Sequence, residues 1–191
     1  MIEDDYKAAE KIAKENLTKI ENQLPRSLAI REENIFETLR RSGKSLLKQL
    51  EQLYTLMDDL YSFFSQYTPC QKGCYYCCYI EVSISSLEAE YIERKTGIKR
   101  ALHSETREIF GTPCPFLDSD TCSIYKYRPF VCRRHNALFD NPRWCNLDLC
   151  NRYKFPQVRF SEVEKSYQLI LKTSGPSLAD IRQLFKTRCN L

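Results

Sequence analysis

Thr68-Pro69-Cys70-Gln71-Lys72-Gly73-Cys74-Tyr75-Tyr76-Cys77-Cys78 carries four thiols within nine residues, two of them adjacent. Cys114, Cys122, Cys132, Cys145 and Cys150 follow, so nine of the ten cysteines lie between positions 70 and 150. Thiolate is a soft ligand suited to zinc or to iron–sulfur clusters, and a C-x2-C step lets one turn offer two sulfurs to one metal. Adjacent side chains point apart, so Cys77 and Cys78 are poorly placed to share one tetrahedral ion. Either one is spare or they serve different sites. Nine sulfurs plus His135 suffice for two four-ligand sites without requiring them.

The rest of the chain sets the compartment and class. Its 191 residues are 42% hydrophobic and 28% charged, with a formal net charge of +4, as in an ordinary globular protein. The acidic start, Glu3-Asp4-Asp5, runs into a charged helix and predicts no signal peptide. No apolar run approaches the roughly 18 residues that a bilayer span needs. The expected location is therefore cytoplasmic, where thiols stay reduced and clustered cysteines read as metal ligands rather than disulfides.

Outward from the cysteine run, periodicity predicts helices. Tyr6, Ala9, Ala13, Leu17 and Ile20 mark a helix over 3–24, ended by Pro25. A longer stripe, including Ile35, Leu39, Leu46, Leu50, Leu53 and Leu60, predicts one helix over 31–66, with Gly43 as a kink. These two are expected to pair as an antiparallel hairpin. Ile80–Ile84 alternates too briefly to seed a sheet. Ser85-Ser86-Leu87-Glu88 reads as a capping box opening a helix that Gly97 closes, and a short helix is expected over 104–110. Five prolines break residues 111–160 into loops. Ser161-Glu162-Val163-Glu164 reads as a second capping box, for a helix over 161–172, and a last helix is expected after Gly175-Pro176-Ser177. The predicted fold class is mainly α. A helical arm over 1–66 packs on a cysteine-rich metal-binding domain over 67–160, and helices over 161–191 pack back on it.

The donor pool is almost all sulfur, since only His103 and His135 accompany the cysteines, and this favours a [4Fe–4S] cluster, with zinc as the alternative. The blocks Cys70-x3-Cys74-x2-Cys77-Cys78, Cys114-Pro115-Phe116-Leu117 and Cys122-Ser123-Ile124-Tyr125-x2-Arg128-Pro129-x2-Cys132-Arg133 resemble the YkgJ-type cysteine-cluster family. This is a zinc- or iron-chelating domain family that includes the flagellin lysine methylases. The resemblance covers roughly residues 68–135, and the helix bearing Glu88 and Glu90 sits where the family also has one. It implies a cytoplasmic, mostly helical metal-binding domain, with Cys70, Cys74, Cys77, Cys78, Cys114, Cys122 and Cys132 as ligands. Two departures stand out: the first gap is three residues rather than two, and Arg133 leads into Arg134-His135-Asn136 rather than an apolar stretch. Cys145 and Cys150 lie past these blocks and join the candidate ligand set. The run also matches the radical S-adenosylmethionine spacing, but five glycines and scarcely a strand argue against that barrel.

Arg128 and Arg133 flank Cys132 closely enough to hold a cofactor or an anionic substrate; ion pairs with Asp118 or Asp120 are the alternative. Arg134 is expected in an ion pair. His135 is a ligand, a proton carrier or a solvated residue, His103 a surface residue and Cys189 a free thiol. Residues 121–160 hold eight Lys or Arg against two Asp, with aromatics interleaved. That composition suits RNA as well as a basic face balancing the acidic N-terminal helices. Two functions therefore stand. In the first, an iron–sulfur protein serves a redox or modification reaction, methyl transfer among them, on a protein or small-molecule substrate. In the second, a non-enzymatic zinc-stapled module binds a protein or RNA. A homodimer through the N-terminal helices is a further expectation.

Overall fold

The computed structural model describes residues 2–101, 109–175 and 177–186, and is mainly helical. Helix α1 (Ile2–Gln23) has the predicted span and buries Ala9, Ala13 and Ile20, with Glu3, Asp4 and Asp5 at its positive end. The expected long helix is two helices, α2 (Arg26–Arg40) and α3 (Leu46–Phe64). The cause is more than Gly43. Ser42 Oγ accepts from Lys44 N at 3.2 Å, and Ser45 is extended, so the chain reverses there. Arg31 pairs with Asp59 at 2.6 Å across the turn, which makes α2 and α3 the antiparallel hairpin. Helix α1 instead lies against residues 137–155. Asn16 donates to Leu138 O at 2.8 Å, Tyr6 packs on Tyr153 and Phe155, and Ala9 buries beside Phe139 and Trp144.

Helix α4 (Ser86–Thr96) follows strand β1 (Ser83–Ser85) and carries the predicted capping box, ending at Gly97 with φ 74°. Two-residue strands β2 (Leu117–Asp118) and β3 (Thr121–Cys122) form a hairpin whose turn residues, Ser119 and Asp120, both have positive φ, the geometry of a tight two-residue turn. Short helices α5 (Phe130–Arg134) and α6 (Leu147–Cys150) punctuate the proline-broken segment. Helix α7 (Ser161–Ser174) packs on both α2 and α3 and covers their apolar stripes. Ser161 is not its cap: Phe160 holds the cap position without a side-chain bond, and Glu162 N donates to Glu32 of α2 at 2.8 Å.

The tail differs most from expectation. Leu178–Asp180 is strand β4, paired antiparallel with β1, so the Ile80–Ile84 region does join a sheet. Asp180 then caps the four-residue α8 (Ile181–Leu184), with Gln183 completing a capping box. The helix expected over 104–110 falls mostly outside the described residues, as do His103 and Cys189.

One buried carboxylate ties the layers together. Glu88, 1% exposed, accepts from Tyr54 of α3, Tyr167 of α7, the Phe130 amide of α5 and the Ser85 amide, all at 2.9 Å or less. Burial first, and then the Glu88 charge, push both phenols up, so they remain donors.

Candidate metal centre

Cys70 and Cys74 sit on a turn closed by Gln71 N to Pro69 O and Cys74 N to Gln71 O, both 2.9 Å. Gly73 supplies the φ of 101° that this turn requires. Cys77 and Cys78 ride on the 3-10 turn Tyr76–Tyr79. The Cys78 carbonyl accepts from Cys114 N at 2.8 Å, which draws the second block onto the first. The β2–β3 hairpin delivers Cys122, and α5 delivers Cys132. Cys145 ends the 3-10 turn Pro142–Cys145, started by the Asn141 side chain, and Cys150 ends α6.

All nine of these cysteines are free thiols. Cys74, Cys77, Cys78, Cys114, Cys122 and Cys132 line one small cavity of about 50 Å³ together with Tyr125 and Arg128. Cys77 also borders a larger cavity of about 400 Å³, with Cys145, Cys150, His135, Trp144 and Phe155 among its walls. Among the described residues no group of three or more His, Cys, Asp or Glu stands ready to hold a metal ion. The fit lies in the donor chemistry. Eight thiols crowd these walls, and the Nε of Arg128 and the hydroxyl of Tyr125 are buried with no hydrogen-bond partner. The Arg128 guanidinium stacks 3.8 Å over the Tyr125 ring. The Tyr125 hydroxyl lies near that of Tyr61, which itself donates to Cys70 O.

Electrostatics follow from burial and crowding. Burial pushes Cys114 up to about 12, and burial followed by Cys70 and Cys77 pushes Cys74 up to about 11. Burial raises Cys122 and Cys132 as well, opposed by Arg128. The Cys78 thiol donates to Cys77, which lowers Cys77 and raises Cys78; Arg128 lowers Cys77 further. Neutral thiols are the cheap state of such a pocket until a cation compensates the thiolates.

The two arginines part company. Arg128 reaches the sulfurs, whereas Arg133 is committed to the scaffold. Its guanidinium donates to Arg128 O at 2.8 Å, to Lys126 O at 2.6 Å and to Asp58 of α3, rather than meeting Asp118 or Asp120. Arg134 pairs with Glu164 at 3.3 Å. His135 faces the larger cavity, and burial, then Arg134 and Arg159, lower its pKa, so the ring is neutral near pH 7. Arg143 and Arg159 also meet carboxylates, Asp5 and Glu164, and Trp144 and Phe130 are buried.

Sequence reasoning missed Tyr125 and, more consequentially, Arg182. From α8, Arg182 donates to Cys78 O at 2.8 Å, Ile80 O at 3.1 Å and Thr112 O at 2.9 Å. Asp180 holds it at 3.1 Å and accepts from Val82 N at 2.7 Å. The Asp180–Gln183 capping box was the one available signal, and it speaks for a helix start rather than a brace.

Compared with known families, residues 69–165 match the CxxCxxCC model, described as "Putative zinc- or iron-chelating domain", over just over half of the chain. The chain belongs to the CxxCxxCC family. The match begins one residue before Cys70 and ends inside α7, so it spans every cysteine of both cavities. The α1–α3 helices and the Asp180–Arg182 brace lie outside it. No curated protein and no solved structure matches the chain. Among the described residues no helix is long and apolar enough to cross a membrane.

Proposed function

We propose that this CxxCxxCC protein carries a cysteine-ligated iron–sulfur cluster, [4Fe–4S], in service of a redox or modification reaction in the cytoplasm. The observation that carries the reading is the pair of buried, unpartnered donors, Arg128 Nε and Tyr125 Oη, on the wall of the six-sulfur cavity. Orphaned buried donors are costly, by about 1–3 kcal/mol each, and an anionic group rich in acceptors relieves that cost. Inorganic sulfides are such acceptors, whereas a zinc ion brings none of its own. A bound cluster supplies one-electron transfer at a potential set by burial and by hydrogen bonds to its sulfurs. Arg128 and Tyr125 supply those hydrogen bonds, and Phe116, Ile124 and Ile181 keep water from the same wall.

RNA is less favoured than composition indicates. Arg133, Arg134, Arg143 and Arg159 are each spent on a carboxylate, and Phe130 and Trp144 pack inside. The test is iron, zinc and acid-labile sulfide analysis with a visible spectrum on the full chain purified without oxygen. Iron with equal sulfide, about four of each per cluster, is the expected result. Zinc without sulfide would overturn it in favour of the zinc-stapled module that binds a protein or RNA.

A further inference from the structure

We infer that the cavity of about 400 Å³ beside the sulfurs binds a small, neutral, planar heteroaromatic molecule. Its occupant is the size of a purine base, with hydrogen-bond donors and acceptors on its edge. The inference goes beyond the metal-centre reading and does not depend on which metal the thiols hold.

The walls fix the shape of the occupant. Trp144 and Phe139, both buried, line the cavity together with Tyr153 and Phe155. These rings brace one another edge to face. Phe155 meets Phe139 with centroids 4.5 Å apart and planes at 60°, and Trp144 meets Tyr153 at 5.2 Å and 71°. Tyr6 of α1 backs Trp144, Tyr153 and Phe155, and its hydroxyl donates to Lys154 O at 2.9 Å. Rings held in this way do not collapse into the space, so the cavity is formed before a ligand arrives. Its volume falls in the range of about 300–1,000 Å³ typical of small-molecule pockets, and rigid aromatic walls favour a flat π-system over a branched aliphatic guest.

The polar groups fix the rest. The neutral His135 ring offers one donor and one acceptor, and the Trp144 indole offers one donor. Both side chains line the cavity, and no hydrogen bond among the described residues engages either. A guest with donors and acceptors on its edge satisfies them, whereas a hydrocarbon of the same outline leaves them unpaired. Charge disfavours the ionic alternatives. One carboxylate, Glu81, and one ammonium, Lys154, border the space and offset each other. An anion would find only that ammonium, which already donates to Cys150 O at 3.4 Å. A cation would meet the positive charge that Arg134 and Arg159 impose at His135. Cys77 lines this cavity and the six-sulfur cavity alike, so a ring bound here has a sulfur of the metal-centre wall as its neighbour.

The test is equilibrium dialysis of the full chain, prepared without oxygen, against adenine, indole, benzamidinium and benzoate. Quenching of tryptophan fluorescence gives the local readout, since Trp144 is the one tryptophan of the chain. Adenine and indole share a fused-ring outline, but indole has no acceptor. Adenine is expected to bind saturably, to quench Trp144, and to bind about tenfold more tightly than indole, the ratio that one good hydrogen bond supplies. The two ions should bind more weakly than adenine. His135→Ala should weaken adenine about tenfold and leave indole unchanged, with circular dichroism and metal content as in the wild type. Four results would overturn the inference: no saturable adenine binding below about 1 mM, indole binding as tightly as adenine, either ion binding more tightly, or a folded His135→Ala variant that binds adenine like the wild type. Should His135→Ala misfold, the adenine-to-indole ratio of the wild type decides alone. Protein that holds no metal yet binds adenine would overturn the metal-centre reading and support this inference, and metal-loaded protein without adenine binding would do the reverse.

Discussion

Between α2, α3 and α7 the contact is hydrocarbon: Leu39, Leu50, Leu53, Leu60 and Ile170 are at most 1% exposed. The cysteine side is fastened by particular polar atoms instead. Cys114 N meets Cys78 O, Ala137 N meets Cys70 Sγ, Arg182 gathers three carbonyls, and Arg133 joins Lys126 and Arg128 to Asp58. An apolar layer tolerates exchange of one hydrocarbon for another of similar volume. A web of directed bonds does not, because each lost partner leaves a buried group unsatisfied. The helical side is therefore a general support, and the cysteine side a specific instrument mounted on it.

Four substitutions probe that contrast. Glu88→Ala should be the most damaging, since Glu88 spans both sides and its loss strands two phenols and two amides. We expect about 4 kcal/mol in urea unfolding, with both regions lost together. A loss below about 1 kcal/mol would mean that the two sides do not share this hub. Leu53→Ala, at a fully buried site of α3, should cost about 3 kcal/mol yet leave the metal content of the folded fraction unchanged. Metal loss in folded Leu53→Ala protein would erase the distinction between support and instrument. Arg182→Ala should cost less in stability, about 2 kcal/mol, but lower metal retention against a chelator, because the Cys78 and Ile80 carbonyls lose their brace. Unchanged chelator resistance would assign α8 to packing alone. Arg31→Ala removes an exposed pair with Asp59 and should change stability by less than about 0.5 kcal/mol, with a salt-independent midpoint difference as the contrary result.

What the sequence disclosed was whatever is decided locally. The Ser85–Glu88 box and Gly97 mark α4 correctly because cap and partner lie within one turn. Stripes at helical spacing exposed α1 and the faces of α2 and α3. The reversal at 41–45 was hidden, because a lone glycine costs only about 1 kcal/mol and the Ser42–Lys44 bond leaves no periodic trace. β4 was hidden for the opposite reason: Leu178–Asp180 becomes a strand only through Ser83–Ser85, far away in the chain. The cysteine blocks announced a metal-chelating family, yet which thiols line a common cavity depends on how distant turns fold together, which no spacing encodes. Arg128 and Arg133 looked equivalent beside Cys132; Arg128, just before α5, reaches the sulfurs, whereas Arg133, on α5, turns to Asp58.

The Arg182 brace reaches back 104 residues to Cys78. At ribosomal speeds of about 5–20 residues per second, that interval lasts roughly 5–20 seconds. A nascent chain thus presents the Cys70–Cys78 thiols to its surroundings well before the arginine that closes their loop has been made. Closure of the loop belongs to the final act of folding, and any metal taken up earlier must be held by an unfastened turn.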